Sequence, residues 1–499
     1  MHPDISDILS IKQPGVVAFV LQLPDSGELV CEEVVRLLPG RRLVFKGVWQ
    51  GQAVFAKLFI GKSALKYASR DKTGSRLLQD AGVLTPALLY DAMIEPNIHL
   101  LIYTAIESSQ NAEYCQLHQP EQQPTLAKAL VATLAQHHRA GLLQTDLHLK
   151  NFLVQPQASG SLQIYTLDGD GIRKLGMLAA KIRQLHNLAT LFSKFDRLND
   201  VSIAELYHQY CLAMGVPYLA RNVPRIIQST KRIRHQASCT YADKKVFRTC
   251  SDVKVESSCS GYRAVAKGFI LQQSTSALDK FLADAKSNLK NGNTCTVGLA
   301  KLAQRQLVIK RYNIKNWRHA LMRALRPSRA AVSWANAHRL MISNIATPTP
   351  LALIEERWGC LRGRAYYLSA YVDAPDVAQF YVQNTDAEIK QTVAQNLAVL
   401  FFKLYALQYA HGDCKASNIK IVNGQPMLID LDSMLAYSPS WIASWRFKRA
   451  HVKDLKRFMK NWQGNATESA ATMLTLLKQA FQSTYPEAAK PMLKRAGIL

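Results

Sequence analysis

The sequence predicts an α+β protein made of two tandem copies of one domain, each opening in a β-rich lobe and closing in a helical one. Three observations lead there. The chain has 499 residues, more than the ~250–300 at which a single hydrophobic core stops growing. Two long stretches show the same unusual order of strand, turn and helix signals. The residues best suited to chemistry recur in both stretches at nearly constant spacing.

The first copy opens on VVRLLPGRRLVFKGVWQGQAVFAKLF, where apolar residues alternate and QGQ supplies a turn, so a meander ending near Lys57 is expected. AGVLTPALLY follows. A helix after Pro124 carries Leu126, Leu130 and Leu134 on one face, then comes QTDLHLKNFLV, then a strand running into LDGDG. The second copy repeats this order. TCTVGLAKL and QRQLVIKRY read as a hairpin bearing Lys310, and NIATPTPLALIE parallels AGVLTPALLY. A long helix is expected to start at TDAE, with Thr385 and Glu388 as a capping box and Ile389, Val393, Leu397, Leu400, Leu404 and Leu407 on its inner face. HGDCKASNIKIV and a strand into IDLDS close the copy. Lys57 and Lys310 lie 253 residues apart, Asp146 and Asp413 267, Asn151 and Asn418 267, and Asp168 and Asp430 262. The expected domains are 1–235 and 236–499, meeting in the basic stretch STKRIRHQASCTYADKK.

Composition is that of a soluble globular protein, 48% hydrophobic and 20% charged, which excludes disorder and low-complexity architectures. The net charge of +26 calls for a polyanionic neighbour: nucleic acid, an anionic membrane face or a phosphorylated substrate. No zinc-finger or RNP-like motif supports nucleic acid, so no specific nucleic acid is expected. Nine scattered cysteines without a CxxC suggest reduced, mostly buried thiols rather than a disulfide frame or a zinc module. The N-terminus lacks a basic stretch leading into an apolar run, and no apolar segment nears the ~20 residues of a spanning helix, so a cytoplasmic protein is expected.

Each copy thus presents a strand lysine, an Asp-x4-Asn and a strand-borne Asp. Alone, each element is ordinary: an edge-strand lysine, turn chemistry, an aspartate after a strand. Twice in one order, they match the working parts of a protein-kinase-like phosphotransferase. Lys57 and Lys310 would neutralise ATP phosphates, and Asp146 and Asp413 would accept the proton of an attacking hydroxyl. Asn151 with Asp168, and Asn418 with Asp430, would hold Mg²⁺, a hard cation that takes oxygen ligands. Lys415, two residues after Asp413, is placed to offset charge on the transferring group; the first copy has His148 there. Between Arg311 and Ile354 there is no Asp or Glu, so Lys310 lacks the helix acid that kinases pair with this lysine. In the first copy Asp71 is the better candidate, ahead of Asp80. Gly61-Lys62-Ser63 is no P-loop, because Ala56 stands where its first Gly is needed. Asn465-Ala-Thr467 matches a glycosylation acceptor without bearing on a cytoplasmic protein.

At these residues the chain resembles the Kdo/WaaP lipopolysaccharide kinase family. The likeness is strongest from IKRYNIKNWRHALMRALRPSRAAVSWANAHRLMISNIATPTPLALIEERWG through YAHGDCKASNIKI to IDLDS, and looser in the first copy. The resemblance implies an ATP- and Mg²⁺-dependent kinase of inner-core sugar, heptose or Kdo, working peripherally at the inner face of the bacterial inner membrane. Its acceptor would be lipopolysaccharide core or a lipid-linked sugar. Asp413 or Asp146 would be the base. Heptose kinases often carry His where this chain has Asn151 and Asn418, so another sugar or a protein acceptor stays open, as does a pseudokinase role for either copy. WIASWRFKRAHVKDLKRFMKNW mixes aromatic and basic residues as an anionic interface needs; a helix burying its aromatics is the competing and favoured reading.

Overall fold

The computed structural model describes residues 11, 14–24, 27–176, 178–195, 202–284, 288–302, 305–313, 326–359, 361–462 and 468–499. Most of the N-terminal stretch read for a leader, residues 314–325 of the stretch that carries the family likeness, and Asn465–Thr467 lie outside them. The chain divides into two compact units, Met1–Thr230 and Lys231–Leu499. Among the described residues eight cysteines are free, four of them buried and only Cys259 exposed. No helix there is long and apolar enough to cross a membrane.

The first unit begins with β1 (Gly15–Leu23), β2 (Gly27–Leu38), β3 (Arg42–Trp49), β4 (Gln52–Ile60), helix α1 (Ala64–Asp80), β5 (Leu88–Glu95) and β6 (Ile98–Thr104), in a sheet ordered β1-β2-β3-β4-β6-β5. The QGQ turn forms as expected: Trp49 pairs with Gln52 across Gln50 and Gly51, both at positive φ, the two-residue loop that matches strand twist. Alternation puts Val54, Ala56 and Leu58 of β4 into the core with Phe45 and Leu29. The period of two therefore turns Lys57 to the other face of the sheet, where Phe59, Ala64, Ala68 and Tyr103 cluster. The second part is mainly helical. It contains β7 (Gln110–Asn111), α2 (Ala112–His118), α3 (Gln123–Arg139), β8 (Leu142–Gln144), β9 (Phe152–Pro156), β10 (Leu162–Thr166), β11 (Ile172–Lys174), α4 (Ala180–Phe192) and α5 (Ile203–Met214). Leu126, Leu130 and Leu134 of α3 are buried, as their spacing predicts.

Helix α1 crosses the turn at 169–171 with backbone almost in contact. A Cβ on Gly74 would stand 1.9 Å from the Gly169 carbonyl oxygen, and one on Gly169 2.0 Å from that of Asp71. Gly74→Ala is therefore expected to lower the stability of the first unit by about 1–3 kcal/mol through overpacking. Thermal unfolding against wild type checks this; an unchanged midpoint would mean that the helix is free to shift.

Helix α6 (Asn222–Ala242) spans the division at Thr230. The second unit runs through β12 (Val253–Ser257), β13 (Gly261–Ala266), α7 (Thr275–Ala283), β14 (Asn288–Asn291), β15 (Cys295–Leu302), β16 (Arg305–Tyr312), α8 (Arg329–Met341), β17 (Pro350–Trp358) and β18 (Leu361–Ala370). Its sheet is ordered β12-β13-β17-β18-β16-β15-β14. Then follow α9 (Val377–Gln383), α10 (Ala387–Leu407), β19 (Tyr409–Ala410), β20 (Ile419–Val422), β21 (Gln425–Leu428), β22 (Leu435–Ala436), α11 (Trp441–Met459), α12 (Glu468–Thr484) and α13 (Lys490–Ala496). Leu307 and Ile309 of β16 enter the sheet core and Lys310 takes the opposite face, as Lys57 does.

Two expectations are corrected here. The Thr385–Glu388 capping box does not form. Asp386 is the N-cap instead, accepting the N–H groups of Glu388 and Ile389 at 2.8 and 3.1 Å. A carboxylate there meets two free donors and the positive end of the helix dipole, which a hydroxyl one residue earlier does not. A capping box does exist one helix earlier, between Asp376 and Gln379. On α10, Val393, Leu397, Leu400 and Leu404 are buried, whereas Ile389 in the first turn is exposed.

Candidate active site

In the first unit Lys57 Nζ meets Asp71 Oδ2 at 2.7 Å, and Tyr103 donates its hydroxyl to Asp71 Oδ1 at 2.7 Å. Asp71 is thus the helix acid expected for Lys57. It is wholly buried, and burial pushes its carboxyl up against the pull of Lys57. Lys57 also stands 3.6 Å from Asp168 Oδ1. Burial acts to raise the Asp168 carboxyl, but Lys57 and Arg42 outweigh it and hold the group below the usual carboxylate range. Asn151 closes a 3₁₀ turn and donates to the Asp146 carbonyl at 2.8 Å, while His148 Nε2 lies 3.4 Å from Asp146 Oδ1. Burial and then Lys194 push the His148 imidazole down. Lys57, Asp146, Asn151 and Asp168 all line one cavity of about 650 Å³, within the range that holds a small ligand or cofactor.

In the second unit Lys310 Nζ bonds Asp430 Oδ1 at 2.5 Å. No acid of α8 meets it, in keeping with the sequence. Burial raises the Asp430 carboxyl, and Lys310 prevails to hold it low. Asn418 donates to the Asp413 carbonyl at 2.8 Å and to Asp413 Oδ2 at 3.3 Å. Lys415 is half-buried, its backbone N–H bonded to the Asp413 carbonyl at 3.0 Å. Asn336 does not stand in for the absent acid. It donates instead to the carbonyls of Leu431 and Met434, at 3.0 and 2.9 Å, and ties α8 to the turn after Asp430. His338 packs edge-on against Trp334.

Several hydrogen bonds recur within each unit. Thr85 bonds the Thr166 carbonyl at 2.8 Å and Thr347 bonds that of Leu428 at 2.9 Å, each two residues before the strand-end aspartate. Leu167 N–H meets the Asn151 carbonyl and Ile429 N–H that of Asn418. Asp168 and Asp430 both adopt left-handed backbone, at φ 61° and 62°, which Asp tolerates better than most side chains.

Five residues escaped sequence reasoning. Asp454 on α11 accepts the His411 and Gly412 N–H groups at 2.7 and 3.0 Å, fixing the backbone before Asp413. Arg457, one turn on, lies 2.5 Å from Asp413 Oδ1. Arg329 meets Asp432 at 2.7 Å, as Arg70 meets Asp170 at 3.0 Å in the first unit. Arg42 stands 3.6 Å from Asp168. The one available signal was the i, i+3 spacing of Asp454 and Arg457, which puts both on neighbouring positions of one helix.

Among the described residues no cluster of three or more His, Cys, Asp and Glu is present. A magnesium site does not require one, since Mg²⁺ is commonly held by one or two side chains plus substrate phosphates and water. Asn418 turns its amide nitrogen to Asp413, which leaves its amide oxygen as a hard donor, and Asp430, next to the Ile429 N–H that bonds the Asn418 carbonyl, offers carboxylate oxygens of the same kind.

No curated protein matches the chain. Residues 280–481 match the model of the Lipopolysaccharide kinase (Kdo/WaaP) family. That span holds Lys310, Asp413, Lys415, Asn418 and Asp430, together with Asp432 and its partner Arg329, Asp454, and Arg457, which pairs with Asp413. Its sheet-then-helix order and kinase-like placement of a strand lysine near a strand-end aspartate agree with that match. Over residues 280–481, the chain is thus similar to the lipopolysaccharide kinase (Kdo/WaaP) family, and its α+β architecture is consistent with a kinase-like fold.

Proposed function

We propose that the protein transfers phosphate from ATP to a sugar hydroxyl of the lipopolysaccharide inner core, with Mg²⁺ assisting, and that its units are two copies of one kinase-like domain, 1–235 and 236–499. The observation that carries this reading is the pairing of Lys310 with Asp430 and of Asn418 with Asp413 within the family-matched unit, the two joined by the Ile429 N–H bond to the Asn418 carbonyl. Mg·ATP would supply the electrophilic phosphoryl group. Lys310 would neutralise phosphate charge, and Asn418 and Asp430 would hold the metal. Arg457 and Asn418 fix the Asp413 carboxylate from either side, so its remaining lone pairs can take the acceptor proton. Lys415 would offset charge on the transferring group. Lys57, Asp146, Asn151 and Asp168 would hold the matching roles in the first unit. The test is transfer from γ-labelled ATP to dephosphorylated core lipopolysaccharide by wild type, Asp146→Asn and Asp413→Asn. A second reading, in which one unit binds nucleotide without catalysis, is favoured by the unequal lysine partners, Asp71 for Lys57 but only Asp430 for Lys310. Loss of transfer in one mutant alone assigns catalysis to that unit.

A peripheral place on the anionic inner face of the bacterial inner membrane belongs to the same proposal. Helix α11 buries Phe447 and Phe458, as the favoured reading of that stretch held, yet exposes Trp441, Ile442 and Trp445 beside Arg446, Lys448 and Arg449. This pairing suits an anionic headgroup layer. Trp441→Ala with Trp445→Ala should weaken co-sedimentation with phosphatidylglycerol vesicles about tenfold or more. Unchanged sedimentation removes α11 from the contact.

A further inference from the structure

The cavity of the first unit carries more positive charge than its proposed catalytic set needs. Arg36, Arg42, Lys57 and Lys150 line it, against Asp146 and Asp168. Arg42 is the unusual member. Its side chain is only 14% exposed, and its Nε is buried without a hydrogen-bond partner. A buried guanidinium N–H without an acceptor is costly, and it marks a place where an anionic ligand completes the bonding. Asp168 Oδ1 likewise has no hydrogen-bond partner, with Arg42 and Lys57 each 3.6 Å away.

Strand register shows how this arises and that an arginine at this strand position is particular to the first unit. Val44 pairs with Lys57, and Val297 pairs with Lys310. Two residues earlier on each strand stand Arg42 and Cys295, so the second unit has a cysteine where the first has the arginine. The turn preceding Arg42 is Pro39-Gly40-Arg41, with one glycine at positive φ. A glycine-rich loop that offers a row of backbone N–H groups is not what this turn encodes. Arginine side chains flank it instead, and a guanidinium presents a planar fork matched to phosphate oxygens. Elsewhere the walls are apolar, with Val44, Phe55, Ile106, Leu153 and Leu167 able to cover a flat base.

We propose that the first unit binds a nucleoside triphosphate through Arg42 and Lys57, assisted by Arg36, and does so without needing a divalent cation. For binding alone, the two side-chain cations at Asp168 supply the charge balance between that carboxylate and the phosphates, and Mg²⁺ on Asn151 and Asp168 is required only for transfer. This rests on the kinase-like reading of the first unit, but its readout is binding and not phosphate transfer.

The test titrates full-length protein with trinitrophenyl-ATP in EDTA and in Mg²⁺, with displacement by ATP, inorganic triphosphate and adenosine. Wild type should keep one binding site in EDTA, displaced by ATP. Arg42→Gln should weaken that site about tenfold or more, the loss of a charge-assisted bond to phosphate, while Arg42→Lys restores part of it. Lys310→Ala in the second unit should leave it in place. Circular dichroism and the thermal midpoint of each variant separate lost binding from lost folding. Abolition of all binding by EDTA overturns the proposal, as does an EDTA-resistant site that survives Arg42→Gln in a folded protein or disappears with Lys310→Ala. Inorganic triphosphate competing as well as ATP overturns the nucleoside part. Failure to phosphorylate core sugar would sink the proposed function and leave this binding result standing.

Discussion

Asp413→Asn is expected to lower phosphate transfer to core sugar by ~10²–10⁴-fold, the usual contribution of a general base. That is ~3–5 kcal/mol of transition-state stabilisation, since each factor of ten is about 1.4 kcal/mol. The substitution removes a proton acceptor and little else. Asn has the shape of Asp, so the Asn418 bond to the residue 413 carbonyl, made by backbone, is untouched. Arg457 loses its partner, but its side chain is 47% exposed and water replaces that pairing at small cost. The loss should therefore fall on kcat with the thermal midpoint of the second unit held. Asp146→Asn in the same assay is the comparison: catalysis confined to the second unit predicts transfer within about twofold of wild type, because no interaction with the reacting atoms is removed. A rate unchanged by Asp413→Asn, with Asp146→Asn inactive, would move the chemistry to the first unit.

How far the site was legible in the sequence follows from how local its signals are. Lys57, Lys310, the Asp-x4-Asn loops and the strand-end aspartates were readable because strand alternation and a five-residue turn fix their neighbours. Asp71 was readable as the partner of Lys57 because α1 offers few acids. Arg457, Arg329 and Arg42 were not. Their contacts join residues 44, 103 and 126 positions apart, and nothing in periodicity announces such pairs. The α11 stretch lay between these cases. Phe447, His451, Asp454, Leu455 and Phe458 follow i, i+4, i+7, i+8, i+11 and do form the buried face, so helical spacing alone separates Phe447 and Phe458 from Trp441 and Trp445. The capping error is similarly local. TDAE contains two acceptable caps, and which one forms depends on where the preceding backbone turns from extended to helical.

Acidification is expected to unfold both units well above the range where most carboxylates titrate, because each buries two neutral histidines. In the first unit burial lowers His137 to about 3 and His138 to about 4. In the second it lowers His338 to about 4 and His451 to about 3. The bonding fits the neutral form. His138 contacts the Tyr210 hydroxyl at 2.7 Å and the Asn187 amide oxygen at 3.1 Å, one acceptor and one donor role for its two nitrogens. His451 has one nitrogen on the Tyr485 hydroxyl at 3.0 Å and sits among Phe401, Tyr405 and Phe447. The sign follows from linkage. These folded-state values lie below the unfolded value near 6.5, so the unfolded chain binds protons that the folded chain refuses. Their contribution is fully present above pH 6.5 and is lost as pH falls towards 4. Between pH 7 and 5 each histidine costs about 2 kcal/mol by that relation, hence about 4 kcal/mol per unit, a large share of the ~5–15 kcal/mol that holds a domain together. Urea titrations at pH 7, 6 and 5 should show each unit weakening with a slope approaching two protons below pH 6. His451→Phe removes the polar ring from its aromatic cluster at nearly constant volume, and should reduce the slope of the second unit by about one proton while leaving that of the first unchanged. Stability flat from pH 7 to 5 would show instead that these imidazoles reach water and charge without unfolding the units around them.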